Sequence, residues 1–195
     1  MTKGRMEAFS DGVLAIILTI MVFEMDPPKG ATLAALREVG HQFITYVLSF
    51  AIIGIYWNNH HHLLQSAHRV NGRILLANLH LLFWLSLVPY TTNWVDDTHF
   101  AEIPVAAYGV VFLGAAVAYY LLTHSLITHH GRESELAEAV GDDWKGKLSL
   151  LVYAAGTVMA FWLPKVAFGM FAGIAVFWFF PDRRIERVLE GKPNH

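Results

Sequence analysis

Residues 5–23 read RMEAFSDGVLAIILTIMVF, and this stretch decides the fold class. Arg5, Ser10 and Asp11 occupy the first two turns of an apolar segment long enough to enter a bilayer. An ionisable group inside a membrane helix costs about 2.5–3.5 kcal/mol on insertion scales, so its default meaning is functional, with a partner to be found. Lys3 and Arg5 resemble the basic start of a signal peptide. The run nevertheless contains Asp11 and ends in Glu24-Met25-Asp26-Pro27-Pro28 without a small-residue cleavage site, so it reads as a retained helix.

The composition agrees. Of 195 residues, 55% are hydrophobic, 13% aromatic and 15% charged, and the mean hydropathy is positive. Soluble domains carry about 25% charged residues. The polar stretches are short and scattered, so one integral-membrane domain is expected. A net charge of −2 gives no footprint for nucleic acid. Cysteine is absent, which excludes disulfides, thiolate nucleophiles and cysteine-ligated metals.

A membrane-spanning helix takes about 20 mostly apolar residues. Six segments qualify: 6–25, 42–64, 73–94, 104–124, 147–163 and 166–181. Only Pro164-Lys165 separates the last two, which predicts a tight hairpin over a single long kinked helix. Lipid offers backbone groups no hydrogen bonds, so six spans imply an all-α bundle. Segment 26–41 begins with a helix stop at Pro27-Pro28. It then sets Leu33, Leu36 and Val39 at three-residue spacing, which predicts a short amphipathic helix leading into span two.

Basic residues set the orientation. Lys3, Arg5, Arg69, Arg73, Arg132, Lys145, Lys147, Arg183, Arg184, Arg187 and Lys192 fall on the side of both termini, and only Lys29, Arg37 and Lys165 on the other. That asymmetry puts both termini in the cytoplasm. Tyr90, Trp94 and Trp144 fit an interfacial belt as anchors.

In this topology Ser10 and Asp11 share a depth with Asn58, Asn59, His60, His61 and His62 at the end of span two. Asn78 and His80 early in span three lie at the same level. A buried carboxylate needs donors or a cation, and imidazole, amide and the Trp57 indole can supply them. The simplest role is stitching helices together; the sharper one is proton sensing, since histidine titrates near neutrality. His60-His61-His62 with His68, and His124 with His129-His130, resemble the histidine boxes of membrane di-iron oxygenases. Adjacent histidines on a helix point about 100° apart. His60 and His68 exceed an i, i+4 spacing, and His129-His130 read as loop before Gly131-Arg132. No metal centre and no enzyme is expected. Ile16, Ile20 and Phe23 form one stripe on span one, with Val13 below. Such a stripe is either a packing surface or, in a symmetric oligomer, a set of rings closing a pore; periodicity leaves both open.

Three blocks settle on a family. They are Arg5-x-x-x-Phe9-Ser10-Asp11-Gly12-Val13, then Tyr56-Trp57-Asn58-Asn59-His60-His61, then Asn78-Leu79 followed by Leu87-Val88-Pro89-Tyr90-Thr91. In this order they resemble bacterial, single-repeat members of the transmembrane protein 175 family of potassium channels. The later spans match in hydropathy and length alone. The resemblance implies a six-transmembrane-helix bundle that assembles as a homotetramer around a central pore lined by helix 1. It implies a constriction of aliphatic side chains in place of a carbonyl filter, and Thr-Val-Gly-Tyr-Gly is indeed missing here. The family's filter isoleucine lies five residues after the signature aspartate, at Ile16, with Ile20 and Phe23 further out. Phe23 departs from the Leu or Ile of bacterial relatives. Thr19 matches a family threonine that faces ions. Arg5, Ser10 and Asp11 would brace the pore helix, with Trp57, His60, His61 and Asn78 as partners.

The expectation is therefore a potassium-permeable channel of the cell membrane with modest preference over sodium. It would need no cofactor, and its partners would be itself, membrane lipid and monovalent cations. The alternative is a proton- or ion-coupled secondary transporter using Asp11 and the membrane histidines. Transporters of that kind show inverted repeats and broken helices at mid-membrane, and span one has no Pro or Gly beyond Gly12.

Overall fold

Prolines and capping side chains set the helix boundaries of the computed structural model, which describes residues 2–67, 69–131, 134, 137, 140–141 and 143–179. His68, Arg132, Arg183, Arg184, Arg187 and Lys192, used in the histidine and charge readings above, lie outside them, as does the expected end of the last span at 181. Among the described residues the chain forms eight α-helices.

Helix α1 (Lys3–Phe23) stops ahead of Pro27-Pro28. The short α2 (Leu33–Glu38) is the helix predicted from the leucine spacing. It starts where the Thr32 hydroxyl accepts the Ala35 N–H at 3.2 Å. It runs almost directly into α3 (Gly40–Gln65). The predicted third span is two helices, α4 (Gly72–Ser86) and α5 (Val88–Asp97). Pro89 explains the break: its nitrogen has no proton to give the carbonyl four residues back, so the ladder is interrupted at Leu87. Asn71 caps α4 by accepting the Ile74 N–H at 3.0 Å.

Helix α6 (Glu102–His130) runs six residues past the predicted end at 124 and stops where Gly131 takes φ 97°. His129 and His130 therefore belong to its last turn and not to a loop. Helices α7 (Trp144–Met159) and α8 (Pro164–Phe179) form the predicted hairpin around Pro164. At 16 residues each they are about 24 Å long at roughly 1.5 Å per residue. Among the described residues three helices are long and apolar enough to cross a membrane: Lys3–Phe23, Gly72–Asp97 taken across its break, and Glu102–His130. The expected spans two, five and six correspond to α3, α7 and α8.

Helix α6 is central and packs on α4, α5, α7 and α8, while α1 lies at one side against α3, α4 and α5. The Phe171 ring of α8 sits between Gly109 of α6 and Gly156 of α7. A Cβ added at those positions would meet the ring at 2.7 and 2.5 Å, so only glycine permits this approach. Ser49 joins three helices: its hydroxyl is 2.8 Å from Thr92 Oγ1 and 3.0 Å from the Tyr108 hydroxyl.

Candidate functional site

Helix α1 has two unlike faces, and the candidate site is built on that difference. Met6, Ser10, Leu14, Ile17 and Met21 are buried, at spacings of four, four, three and four, which is the period of a single helix face. On the other side Ile16, Ile20 and Phe23 are 58%, 41% and 84% exposed, whereas Ile17 is 4% exposed. At about 100° per residue, Ile16 and Ile17 are bound to face differently. Thr19 shares the open face, and its hydroxyl donates to the Ala15 and Ile16 carbonyls at 3.1 and 2.9 Å.

The buried face is held by an ordered hydrogen-bond relay. Only N–H groups and the hydroxyl can donate, so the direction is fixed. His60 Nε2–H donates to Asn78 Oδ1 at 2.7 Å, Asn78 Nδ2 donates to Ser10 Oγ at 2.9 Å, and Ser10 donates to the Met6 carbonyl at 2.8 Å. All three side chains are buried. The relay ties α3 and α4 to α1 and leaves His60 Nδ1 buried without a partner among the described residues.

Beside it runs an antiparallel seam between α1 and α3. Lys3 Nζ donates to the Gln65 carbonyl at 3.4 Å, Glu7 Oε1 faces His61 Nδ1 at 3.5 Å, and Asp11 Oδ1 accepts the Trp57 indole N–H at 3.0 Å. Gln65 Nε2 donates to His61 Nε2 at 2.8 Å, which leaves the other ring nitrogen protonated toward Glu7. Positions 3, 7 and 11 thus meet 65, 61 and 57, two runs of four-residue spacing that lie side by side only between antiparallel helices.

Five of the polar residues expected from sequence enter these bonds, in two separate sets: Ser10, Asn78 and His60 in the relay, and Asp11 with Trp57 in the seam. His61 belongs to the seam and pairs with Glu7 and Gln65. Asp11 is half-buried, not buried, because the seam runs along the edge of the bundle. Arg5 is exposed on the open side and makes no hydrogen bond or ion pair among the described residues. Glu7 and Gln65 were missed by the sequence reading. The signal for them was the i, i+4 step from Asp11 to Glu7 and from Trp57 through His61 to Gln65.

The other histidines disperse. His80 accepts the Trp84 indole N–H at 2.9 Å, His124 stacks on Tyr120 at 6.2 Å, and His129 Nδ1 accepts from Asn71 Nδ2 at 3.1 Å. The Arg69 backbone N–H donates to His130 Nε2 at 3.2 Å. Among the described residues no three His, Asp or Glu side chains gather as a metal-holding group.

Long apolar helices joined by buried polar relays define a multi-pass membrane protein. The profile of the family described as "Endosomal/lysosomal potassium channel TMEM175" matches residues 5–89. A protein named potassium channel from Chryseobacterium sp. (strain P1-3) is 49% identical over 190 residues, covering 97% of this chain and 99% of that one. The chain belongs to the TMEM175 family, a family of channels and not of enzymes. A mouse relative, named endosomal/lysosomal proton channel TMEM175, is 34% identical over 132 residues, covering 62% of this chain and 26% of its own length. The crystal structure of a lysosomal potassium-selective channel TMEM175 homolog from Chamaesiphon minutus shares the fold. It aligns with TM-score 0.79 at 24% identity and covers 91% of this chain and 96% of that one.

Proposed function

We propose that the protein is a potassium-permeable channel in which four copies of α1 surround one pore. Ile16, Ile20 and Phe23 form its apolar constriction, and Thr19 faces the permeating ions. The observation that carries this reading is the divided helix: α1 is pinned along its buried face, while its opposite, mostly apolar face is largely exposed among the described residues. Of the three long apolar helices it is the least enclosed, with 28% of its most apolar stretch buried against 44% and 50%. A closed ring is the common way for identical subunits to share one axis. The name potassium channel on the bacterial relative supports the same permeant.

The constriction acts as gate and filter. Potassium sheds hydration water more readily than sodium, so partial dehydration between aliphatic rings gives a modest potassium preference. The chain sits in the cell membrane as one six-span domain with both termini cytoplasmic. Lipid and monovalent cations are its partners, beside its own copies. The transporter alternative loses ground, because the relay from His60 through Asn78 and Ser10 ends on the Met6 backbone carbonyl, which cannot pass a proton on. Its geometry serves to hold a helix. The name proton channel on the mouse relative makes protons a second candidate permeant for the same pore, so the assay includes them.

The test is flux in proteoliposomes under potassium, sodium and proton gradients. Ile16→Asn wets the narrowest ring, so conduction rises and potassium preference falls. Ile17→Asn harms packing and leaves the ion preference of the surviving channels unchanged. A shift of preference in Ile17→Asn with none in Ile16→Asn overturns the pore assignment. Cross-linking that plateaus at dimer overturns the tetramer.

A further inference from the structure

Along the contact of α4 with α6, an exposed furrow starts at a basic end whose backbone is fixed by side-chain bonds. Asn71 Nδ2 donates to His129 Nδ1 at 3.1 Å, and the Arg69 backbone N–H donates to His130 Nε2 at 3.2 Å. His130 Nδ1–H donates in turn to the Leu126 carbonyl at 2.9 Å. The connection between α3 and α4 is thereby tied to the last turn of α6. Because His129 Nδ1 accepts a bond, its proton sits on Nε2, and the ring is exposed. Arg69 and Arg73, each two residues from Asn71, are exposed as well. Neither guanidinium has a hydrogen bond or ion pair among the described residues.

Away from that end the furrow is apolar and has a stop. Arg73, Ala77, His80 and Trp84 follow one face of α4 at spacings of four, three and four. Trp84 lies against α6 at Gly114, where an added Cβ would collide with the indole. His80 Nε2 accepts the indole N–H at 2.9 Å and holds the ring there. Between the two ends Leu76 of α4 and Val117 and Leu121 of α6 are exposed. Trp84 lies eleven residues past Arg73, about 16 Å at roughly 1.5 Å per residue. One leaflet of hydrocarbon is about 15 Å thick, half of a roughly 30 Å core. The furrow therefore has a basic end at the membrane surface and an aromatic stop one leaflet deeper.

We propose that this furrow holds an anionic phospholipid, with its phosphate at Arg69, Arg73 and the His129 Nε2–H and one acyl chain laid along α4 toward Trp84. Guanidinium matches phosphate oxygens in a planar fork and is weakly hydrated, so it gives up water readily. Basic surfaces between membrane helices favour anionic headgroups. A zwitterionic headgroup brings its own ammonium to the same arginines and gains less. A soluble anion uses the arginines and leaves the apolar furrow empty. A general excess of basic residues would hold anionic lipid loosely anywhere on this side. Here two unpaired guanidiniums and a fixed N–H donor stand on segments pinned to each other, above a furrow of one acyl-chain length. The inference does not depend on the pore assignment, because binding is read without ion flux.

Native mass spectrometry of the full chain in a non-ionic detergent decides it, with dioleoyl phosphatidylglycerol, dioleoyl phosphatidylcholine and glycerol 3-phosphate as probes. The anionic lipid is expected to saturate and to bind about tenfold more tightly than the zwitterionic one. Glycerol 3-phosphate, which has the charge and no chains, should not displace it at equal concentration. Arg69→Gln combined with Arg73→Gln changes only exposed side chains, so melting temperature and oligomeric state should stay as in wild type. The preference between the two lipids should then shrink to about twofold or less. Lys29→Gln combined with Lys165→Gln removes the same charge from the opposite side and should keep the full preference. Equal affinity of wild type for the two lipids, a preference retained in the arginine variant, or the same loss in the lysine variant overturns the proposal. So does displacement by glycerol 3-phosphate, which would make this a site for soluble anions. A changed oligomeric state in the arginine variant, with the lipid preference intact, would assign the face to a second copy of the chain and overturn it too.

Discussion

Replacing Asn78 with leucine tests whether the relay, and not hydrophobic packing alone, fixes the orientation of α1. Asn78 is 2% exposed and makes two of the relay's bonds, at 2.7 and 2.9 Å. Hydrogen bonds between membrane helices average about 0.6 kcal/mol, with about 1.7 as the upper end. The larger cost is the group left behind, since a buried unpaired donor costs about 1–3 kcal/mol. Asn78→Leu strands His60 Nε2–H, whereas Ser10 still donates to Met6, so the total comes to about 2–3 kcal/mol. His60→Phe costs less, about 1 kcal/mol: it strands only the Asn78 carbonyl, and it removes the His60 Nδ1 that is already unpaired. In the double variant both stranded groups are gone. Its cost should fall short of the sum of the single ones by about 1 kcal/mol, a coupling outside the roughly 0.3–0.5 kcal/mol scatter of independent sites. Reversible unfolding in mixed detergent micelles measures all four corners of the cycle. Additivity within that scatter would refute the relay as a coupled device, and Asn78 would then be a packing residue.

Three further outcomes follow from the same structure. Asp11→Ala should cost about 1 kcal/mol or less in the same unfolding assay, because Asp11 is half-buried and its Trp57 partner is 45% exposed; a loss near the 3–5 kcal/mol of a fully buried broken pair would mean that the assembly seals this edge. Gly156→Leu should cost about 3 kcal/mol or prevent folding, since even a Cβ there lies 2.5 Å from the Phe171 ring; wild-type yield and melting temperature would show that the hairpin repacks freely. Burial holds the Asp143 carboxyl above the ordinary carboxylate range, opposed by the Gly146 N–H and by Lys147. The folded chain therefore binds this proton more tightly than the unfolded one. The resulting stabilisation is complete below the unfolded value of about 3.9 and is lost as pH rises through the raised folded value. Asp143→Asn, which keeps the cap, should flatten melting temperature against pH in that window, and an unchanged slope would show that Asp143 is solvated.

How much of this was legible in the sequence differs from residue to residue, and the reason is the range of the interaction that decides each one. The two faces of α1 were readable because a helix converts spacing into direction: Ile16, Ile20 and Phe23 share a side by arithmetic, and Ile17 is excluded from it by the same arithmetic. The break at Leu87 was equally available, since Pro89 removes one donor from a ladder that needs every donor, yet hydropathy averaged over a window smooths across it. The extension of α6 to His130 went unread because histidines lower hydropathy far more than they disfavour a helix, and the helix stops at Gly131, which takes a positive φ. The shared depth of Ser10, His60 and Asn78 followed from counting residues in from each membrane face. Their bonding order did not, because depth fixes height along the bundle and leaves rotation about each helix axis free. Rotation is set by packing, and packing sent His61 toward Glu7 and His60 toward Asn78, although the two histidines are neighbours in the chain. Asp11 shows the same limit from the other side. Its charge in an apolar run predicted burial, whereas one helical turn past Glu7 places it on a seam at the edge of the bundle. There a half-exposed tryptophan satisfies one oxygen, and the other makes no hydrogen bond among the described residues.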